Sequence, residues 1–364
     1  MTADPGNIRP DSIQSVQEKI HLLVYDAEIY SFLLKNCAKQ STIPLEVVKI
    51  IMSQPKWERM DICMELSTKK TRPRLTFEIF IPEQAAPISK MMQTVDVLRS
   101  AKPDFVLATA DHRHGTGLER AVEFASMVQS EADIPGAVLI PSICYTRTRL
   151  KLQLQQMKHR GITRILAVRG DGMRPDFEHA DFPSAAELIE FIKEVDPEFR
   201  VASGCFPENH PESLGIVTDV WQLRRQADAG ACRMITRMFY SFRYFEAVQN
   251  RLEIAGVYLP MDAGIMPILR KEAVSLLRQD FGVRLPRSFA QRLAQYEDDP
   301  KGFYEEGVKY ANEQIRRLVA TSAPGVHIFS HNDSELITRL SHGFYDAVSD
   351  FQAGTLAQEF LSKA

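Results

Sequence analysis

The chain has 364 residues, 45% hydrophobic and 25% charged, with a formal net charge of −3. That balance excludes the basic footprint of a nucleic-acid-binding protein and the charge excess of a disordered chain, and no apolar stretch is long enough to span a membrane. The polar start Met1-Thr2-Ala3-Asp4-Pro5 does not resemble a signal peptide, and five cysteines (Cys37, Cys63, Cys144, Cys205, Cys232) lack C-x-x-C spacing. Reduced thiols in a cytoplasmic protein are therefore expected, with the strand cysteines as core filler.

Residues 1–70 carry two helix-like patterns, Ile13–Leu34 and Leu45–Leu66, broken at Ser41-Thr42-Ile43-Pro44. About 70 helical residues bury little core alone. An N-terminal helical extension is expected there, capping the remainder or touching a second copy or another protein.

Over 71–364, β-type runs alternate with helical spacing. Strands are predicted over Leu75–Ile81, Asp104–Thr109, Ala137–Cys144, Arg164–Arg169, Arg200–Gly204, Arg233–Phe239, Gly256–Ile265 and Gly325–Ser330. Between them, helices are predicted over Ile88–Leu98, Leu118–Val128, Leu150–Met157, Ala185–Val195, Val217–Ala227 and Phe242–Leu252. Eight strands in β-α alternation, in a chain longer than the roughly 250 residues typical of the fold, predict a (βα)8 TIM barrel following that extension.

Chemistry in such a barrel collects at the carboxyl ends of the strands. Those ends offer Glu78, Thr109 with Asp111, Ser142 with Cys144, Asp171, Phe206 with Glu208 and His210, Arg237, Met266, and His331 with Asn332. Carboxylates, an arginine and histidines around one mouth suit proton transfer and anion binding, and no nucleophile signature accompanies them. In Thr76-Phe77-Glu78-Ile79-Phe80, alternation puts Glu78 on the face opposite Phe77 and Ile79. A carboxylate placed amid aromatics and shielded from water suits a general acid; a salt-bridged strand-end glutamate has the same signature. Asp171, between Gly170 and Gly172, also reads as the N-cap of a turn, and His210, in a proline-bounded loop, as a structural histidine.

His112 and His114 have the H-x-H spacing of some barrel zinc sites. Arg237 at the end of the sixth strand would repel a cation, so no metal is expected. Gly115-Thr116-Gly117 lacks the third glycine of a dinucleotide fingerprint.

From about Arg74 to Gly343 the chain resembles the catalytic barrel of 5,10-methylenetetrahydrofolate reductases. The resemblance is carried, in order, by Thr76-Phe77-Glu78-Ile79-Phe80-Ile81-Pro82, Pro103-Asp104-Phe105-Val106, and Ile165-Leu166-Ala167-Val168-Arg169-Gly170-Asp171. It continues through Phe206-Pro207-Glu208-Asn209-His210-Pro211-Glu212, Asp228-Ala229-Gly230-Ala231 before Ile235-Thr236, and Ala263-Gly264-Ile265-Met266-Pro267-Ile268. It implies a flavoprotein that passes hydride from NAD(P)H through FAD to the C1 unit of tetrahydrofolate. Glu78 and Asp171 would be catalytic, Glu78 as the acid and Asp171 stabilising an iminium cation. Thr109, Arg169, Gly170, Asp171, Phe206, His210, Asp219, Gln222 and Arg225 match cofactor-contacting positions, and Glu78, Asp171, Arg237 and Met266 would meet folate.

The departures cluster around the cofactor. Pro141 stands near a histidine position, Ala110-Asp111-His112 replaces a tyrosine and small residues, Phe206 replaces a tyrosine, Gln226 a lysine and Arg237 a glutamine. Two alternatives stay open: a folate enzyme without flavin, transferring hydride directly or moving a methyl group, and a catalytically silent barrel that binds another protein.

Overall fold

The structure is a computed structural model that describes residues 72–82, 88–112, 117–170, 180–208, 213 and 215–356. The two predicted N-terminal helices, and Asp171, His210 and His114, lie outside the described residues.

Eight strands close a parallel barrel in sequential order: β1 (Arg74–Ile81), β2 (Phe105–Ala110), β3 (Gly136–Pro141), β4 (Arg164–Val168), β5 (Arg200–Cys205), β6 (Arg233–Met238), β7 (Met261–Ile265) and β8 (Gly325–Phe329). Around them run α1 (Ile88–Ala101), α2 (Gly117–Ala132), α3 (Arg147–His159), α4 (Ala185–Val195), α5 (Ile216–Asp228) and α6 (Phe242–Ile254). Then come α7 (Lys271–Phe281), α8 (Arg287–Ala294), α9 (Pro300–Ala320) and α10 (Ser334–Gln352). None of the described helices is long and apolar enough to cross a membrane.

The period-2 pattern works as expected. On β1, Leu75, Phe77 and Ile79 are buried in the cluster shared with the surrounding helices, while Thr76 and Glu78 take the other face. Full burial of each such apolar side chain stabilises the barrel by about 1.5–3 kcal/mol. Inside the barrel, Leu107, Ala137, Leu166 and Ile235 form a separate apolar plug. The β7-β8-β1 sector is polar instead: Thr76 is in register with His327, and His327 with Gly264. Beneath them Asp262 is fully buried and paired with Arg233, and burial pushes its carboxyl up to about 6.

Three expectations are corrected. β3 stops at Pro141, and Ser142–Cys144 form a 3-10 turn, because Ser142 turns to donate to Arg169 O at 3.2 Å. β7 begins at Met261 rather than Gly256, since the backbone of Gly256 and Val257 is spent closing α6, on Glu253 O and Leu252 O. Of the described cysteines, Cys205 is core and the half-buried Cys144 packs against that core, while Cys232 is exposed.

Between β7 and β8 the chain inserts α7 and α8 before α9. Leu277, Val283, Phe289 and Leu293 pack on Tyr240, beyond the end of β6, in a cluster of their own. That packing brings Phe281 to the barrel mouth.

Candidate active site

A cavity of about 960 Å³ opens at the carboxyl ends of the strands. Its β1-β8 wall holds Glu78 and His327. The His327 ring is fully buried; Nε2 lies 3.3 Å from Glu78 Oε2 and Nδ1 2.8 Å from Thr76 Oγ1. Thr76 Oγ1 also lies 3.3 Å from Val326 O, so a hydrogen-bonded chain runs from the β8 backbone through Thr76 and the His327 ring to the Glu78 carboxyl group. Glu78 keeps 19% of its side chain exposed, toward the cavity.

The β2-β4 wall carries Thr109, His112, Arg169 and Gly170. Gly170 has φ +99, and a Cβ there would lie 2.9 Å from Ile143 Cγ1 and 3.1 Å from Pro141 Cβ, so only glycine takes this turn without strain. His112 is buried, with Nδ1 2.6 Å from the Tyr145 hydroxyl. Burial lowers its imidazole from 6.5 to about 4, so the ring is neutral at neutral pH.

Across the mouth stand Arg237, Met266 and Phe206. The β6-β7 register shifts between Ile235 and Met238, the kind of irregularity that re-aims a side chain beside a site. Gly264 allows it: its N–H donates to Thr236 Oγ1 at 2.8 Å, and a Cβ would fall 2.1 Å from Thr236 O. The Arg237 guanidinium lies 4.6 Å from the Phe281 ring centre and 5.6 Å from that of Phe206.

Helix α5 supplies the last wall through Asp219, Gln222 and Gln226. Arg225 does not line the cavity. It donates to Glu187 Oε1 at 2.7 Å and lies over Trp221, and Glu187 is itself bonded to the α4 N-cap Ser184. This ion pair draws the guanidinium away from the position expected of it.

The described positions expected of a site thus converge, Arg225 excepted: Glu78, Thr109, Arg169, Gly170, Phe206, Asp219, Gln222, Arg237 and Met266 all face one cavity. Four other strand-end residues stand elsewhere. Ser142 is buried under Arg169, Glu208 accepts from Arg284 N at 3.1 and 3.2 Å, His331 contacts Pro267 O, and Asn332 bonds the Phe80 backbone. His327 went unread in the sequence. Its position between Val326 and Ile328 was the available signal, since alternation points it inward if they point out. Among the described residues no group of three or more His, Cys, Asp or Glu side chains could hold a metal.

A family profile described as methylenetetrahydrofolate reductase matches residues 63–343. The chain belongs to this family. The 5,10-methylenetetrahydrofolate reductase of Pectobacterium carotovorum is 25% identical over 289 residues, covering 78% of this chain and 94% of that protein. The Escherichia coli enzyme is 25% identical over 268 residues, 74% and 89% of the two chains. Methylenetetrahydrofolate reductase 1 of Schizosaccharomyces pombe is also 25% identical over 268 residues, but this chain spans only 44% of it. Among solved structures, a Clostridium thermocellum protein described as binding two copies of 5-methyl-5,6,7,8-tetrahydrofolic acid superposes with TM-score 0.53 at 12% identity, covering 77% of this chain and 99% of that one. At that identity the likeness concerns the barrel fold alone.

A methylenetetrahydrofolate reductase implies a flavin, and the donor set fits one. The cavity lining runs from Glu78 on β1 round to Ser184 at the start of α4 and Gln226 on α5; the Thr109, Arg169 and Gln222 side chains carry hydrogen-bond donors, and Gln226 Oε1, buried there without a hydrogen-bond partner, is an acceptor for a ligand hydroxyl or amine. Cationic support on the α5 side is reduced, with Arg225 held by Glu187 and glutamine at 226.

Proposed function

We propose that this protein is a cytoplasmic methylenetetrahydrofolate reductase-like oxidoreductase that exchanges hydride between NAD(P)H, FAD and the C1 unit of 5,10-methylenetetrahydrofolate or 5-methyltetrahydrofolate. The observation that carries the reading is the Thr76-His327-Glu78 chain, opening on the same cavity as Arg237 and Met266. Flavin, when bound, carries hydride between nicotinamide and folate; Thr109, Arg169, Gly170, Phe206, Asp219 and Gln222 would hold it.

Glu78 presents a proton to a folate nitrogen, opening the methylene bridge to an iminium cation that then accepts hydride. His327 orients the carboxyl group through Oε2, and Thr76 orients the His327 ring. Arg237, steadied between Phe206 and Phe281, supplies a fixed cation to an acceptor-rich edge of the substrate. Asp171, next after Gly170, keeps the role the resemblance implies, electrostatic stabilisation of the iminium. Residues 1–70 are proposed as a helical extension for contact with a second copy or a partner.

The α5 wall favours one second reading, a folate enzyme using nicotinamide directly, because the diphosphate of FAD gains little from Gln226 and a diverted Arg225. Purified protein decides between them. Flavin absorption, bound as isolated or after added FAD, together with NAD(P)H-dependent reduction of methylenetetrahydrofolate, supports the first; turnover by colourless protein supports the second. Failure to bind or turn over any tetrahydrofolate counts against both.

A further inference from the structure

The end of β1 is anchored from both sides. Phe80 lies in register with Thr109 on β2. On the other side β8 has already ended at Phe329, and side chains of the turn that follows take over its pairing. Ser330 Oγ donates to Glu78 O at 2.6 Å. The Asn332 amide meets both backbone groups of Phe80, accepting from its N–H at 2.9 Å and donating to its carbonyl at 2.6 Å. The turn that delivers this amide holds His331 and Asn332 at φ +52 and +57, a strained backbone for two consecutive non-glycine residues. From α2, Arg120 donates to Pro82 O at 2.5 Å.

The side chain so anchored meets the cavity and solvent. Phe80 is 48% exposed, and of the large apolar side chains exposed among the described residues it alone lines the cavity. It shares the face of β1 that carries Glu78, and residues two apart on a strand stand about 6.6 Å from each other along it, so its ring lies one step outward from the proposed acid. In 5-methyltetrahydrofolate the C1 unit remains on N5. The nitrogen protonated when the methylene bridge opens is therefore N10, and N10 bears the p-aminobenzoyl ring. An acid placed at N10 has that ring beside it, and the mouthward neighbour of Glu78 on its own strand is an aromatic side chain.

We infer that Phe80 is a substrate-binding residue whose ring packs on the p-aminobenzoyl ring of folate, offset or edge-to-face, with Asn332 as the positioning residue that fixes its backbone. The inference rests on the reading of Glu78 as acid to a folate in this cavity.

The test is calorimetric titration of the full chain with 5-methyltetrahydrofolate and with 5,6-dimethyltetrahydropterin, which has the pterin and no p-aminobenzoyl ring. Phe80→Leu keeps an apolar side chain and removes the ring; Kd for 5-methyltetrahydrofolate is expected to rise about tenfold, the upper scale of one aromatic pair, with Kd for the pterin within about twofold of wild type. Phe80→Trp keeps a ring, and its folate Kd is expected within about threefold of wild type. Asn332→Gly preserves the left-handed turn and removes the amide; folate Kd is expected to rise about threefold and pterin Kd to stay unchanged, a selectivity that general loosening of the barrel would not give. If Phe80→Leu fails to fold, Phe80→Met takes its place. If the pterin is too weak to titrate, proton NMR of bound 5-methyltetrahydrofolate makes the same comparison: ring-current shifts of its p-aminobenzoyl protons should be present with wild type and absent with the ringless variant. The inference is overturned if the ringless variant binds folate as wild type does, if pterin affinity falls by the same factor, or if the p-aminobenzoyl shifts survive. Wild type that binds no folate would sink the functional reading along with it.

Discussion

His327 Nε2 stands 3.3 Å from Glu78 Oε2, although 249 residues separate them in the chain. Pairing of β8 with β1 sets Thr76 opposite His327, so the closing seam of the barrel brings the proposed acid, its support and the support's anchor together. Each member has a distinct expected phenotype.

Glu78→Gln keeps shape and hydrogen bonding to His327 but carries no transferable proton. Folate turnover should fall at least about 100-fold, while reduction of bound flavin by NAD(P)H proceeds at its wild-type rate. Stopped-flow absorbance separates the half-reactions; an unchanged folate half-reaction would remove Glu78 from the acid role.

His327→Asn should slow the folate half-reaction about tenfold, the scale of one hydrogen bond, since Glu78 loses the ring that orients its carboxyl group. The flavin half-reaction should keep its wild-type rate. A uniform loss in both half-reactions would mark His327 as a packing residue, fully buried as it is.

Gln226→Lys should tighten FAD about tenfold, the scale of one charge-assisted contact. The α5 wall presents Asp219 and two glutamines to the cavity while Arg225 bonds Glu187. Fluorescence titration gives the comparison, and an unaltered Kd would place the diphosphate elsewhere.

Gly264→Ala should destabilise the barrel by about 1–3 kcal/mol or more, because the new methyl meets the Thr236 carbonyl and the Arg237 backbone. Folate affinity should fall further than the stability loss accounts for, since Arg237 is carried on that stretch of β6. Chemical denaturation and calorimetry measure the two effects on the same sample.

Acid should expose His112. Its imidazole is lowered from 6.5 to about 4 in the folded state, so the unfolded chain binds more protons between those values. The stabilising contribution of neutral burial is complete above pH 6.5 and is lost as pH falls through about 4, by about 3 kcal/mol at most. His112→Gln should therefore flatten the decline of Tm across that window. A residual slope is expected from His331, which burial lowers in the same direction. Identical slopes in mutant and wild type would refute the assignment.

Local pattern by itself determined the strand-helix alternation, the eight strands and the inward face of β1, because side-chain direction has period two along a strand and burial follows it. The same logic marked Glu78, Thr109, Phe206, Arg237 and Met266 as residues of one mouth, while Arg169 and Gly170 came from the family resemblance; it also marked Ser142, Glu208, His331 and Asn332, which stand elsewhere. Tertiary structure alone decided the rest. His327 reads locally as an ordinary strand residue, and only the β8-β1 register gives it Glu78 and Thr76 as partners. The aim of Arg237 depends on a register shift permitted by a glycine on the next strand. Arg225 leaves the cavity because Glu187, 38 residues away, offers it an ion pair. Periodicity reports which face is buried; a partner distant in the chain is chosen only when the barrel closes.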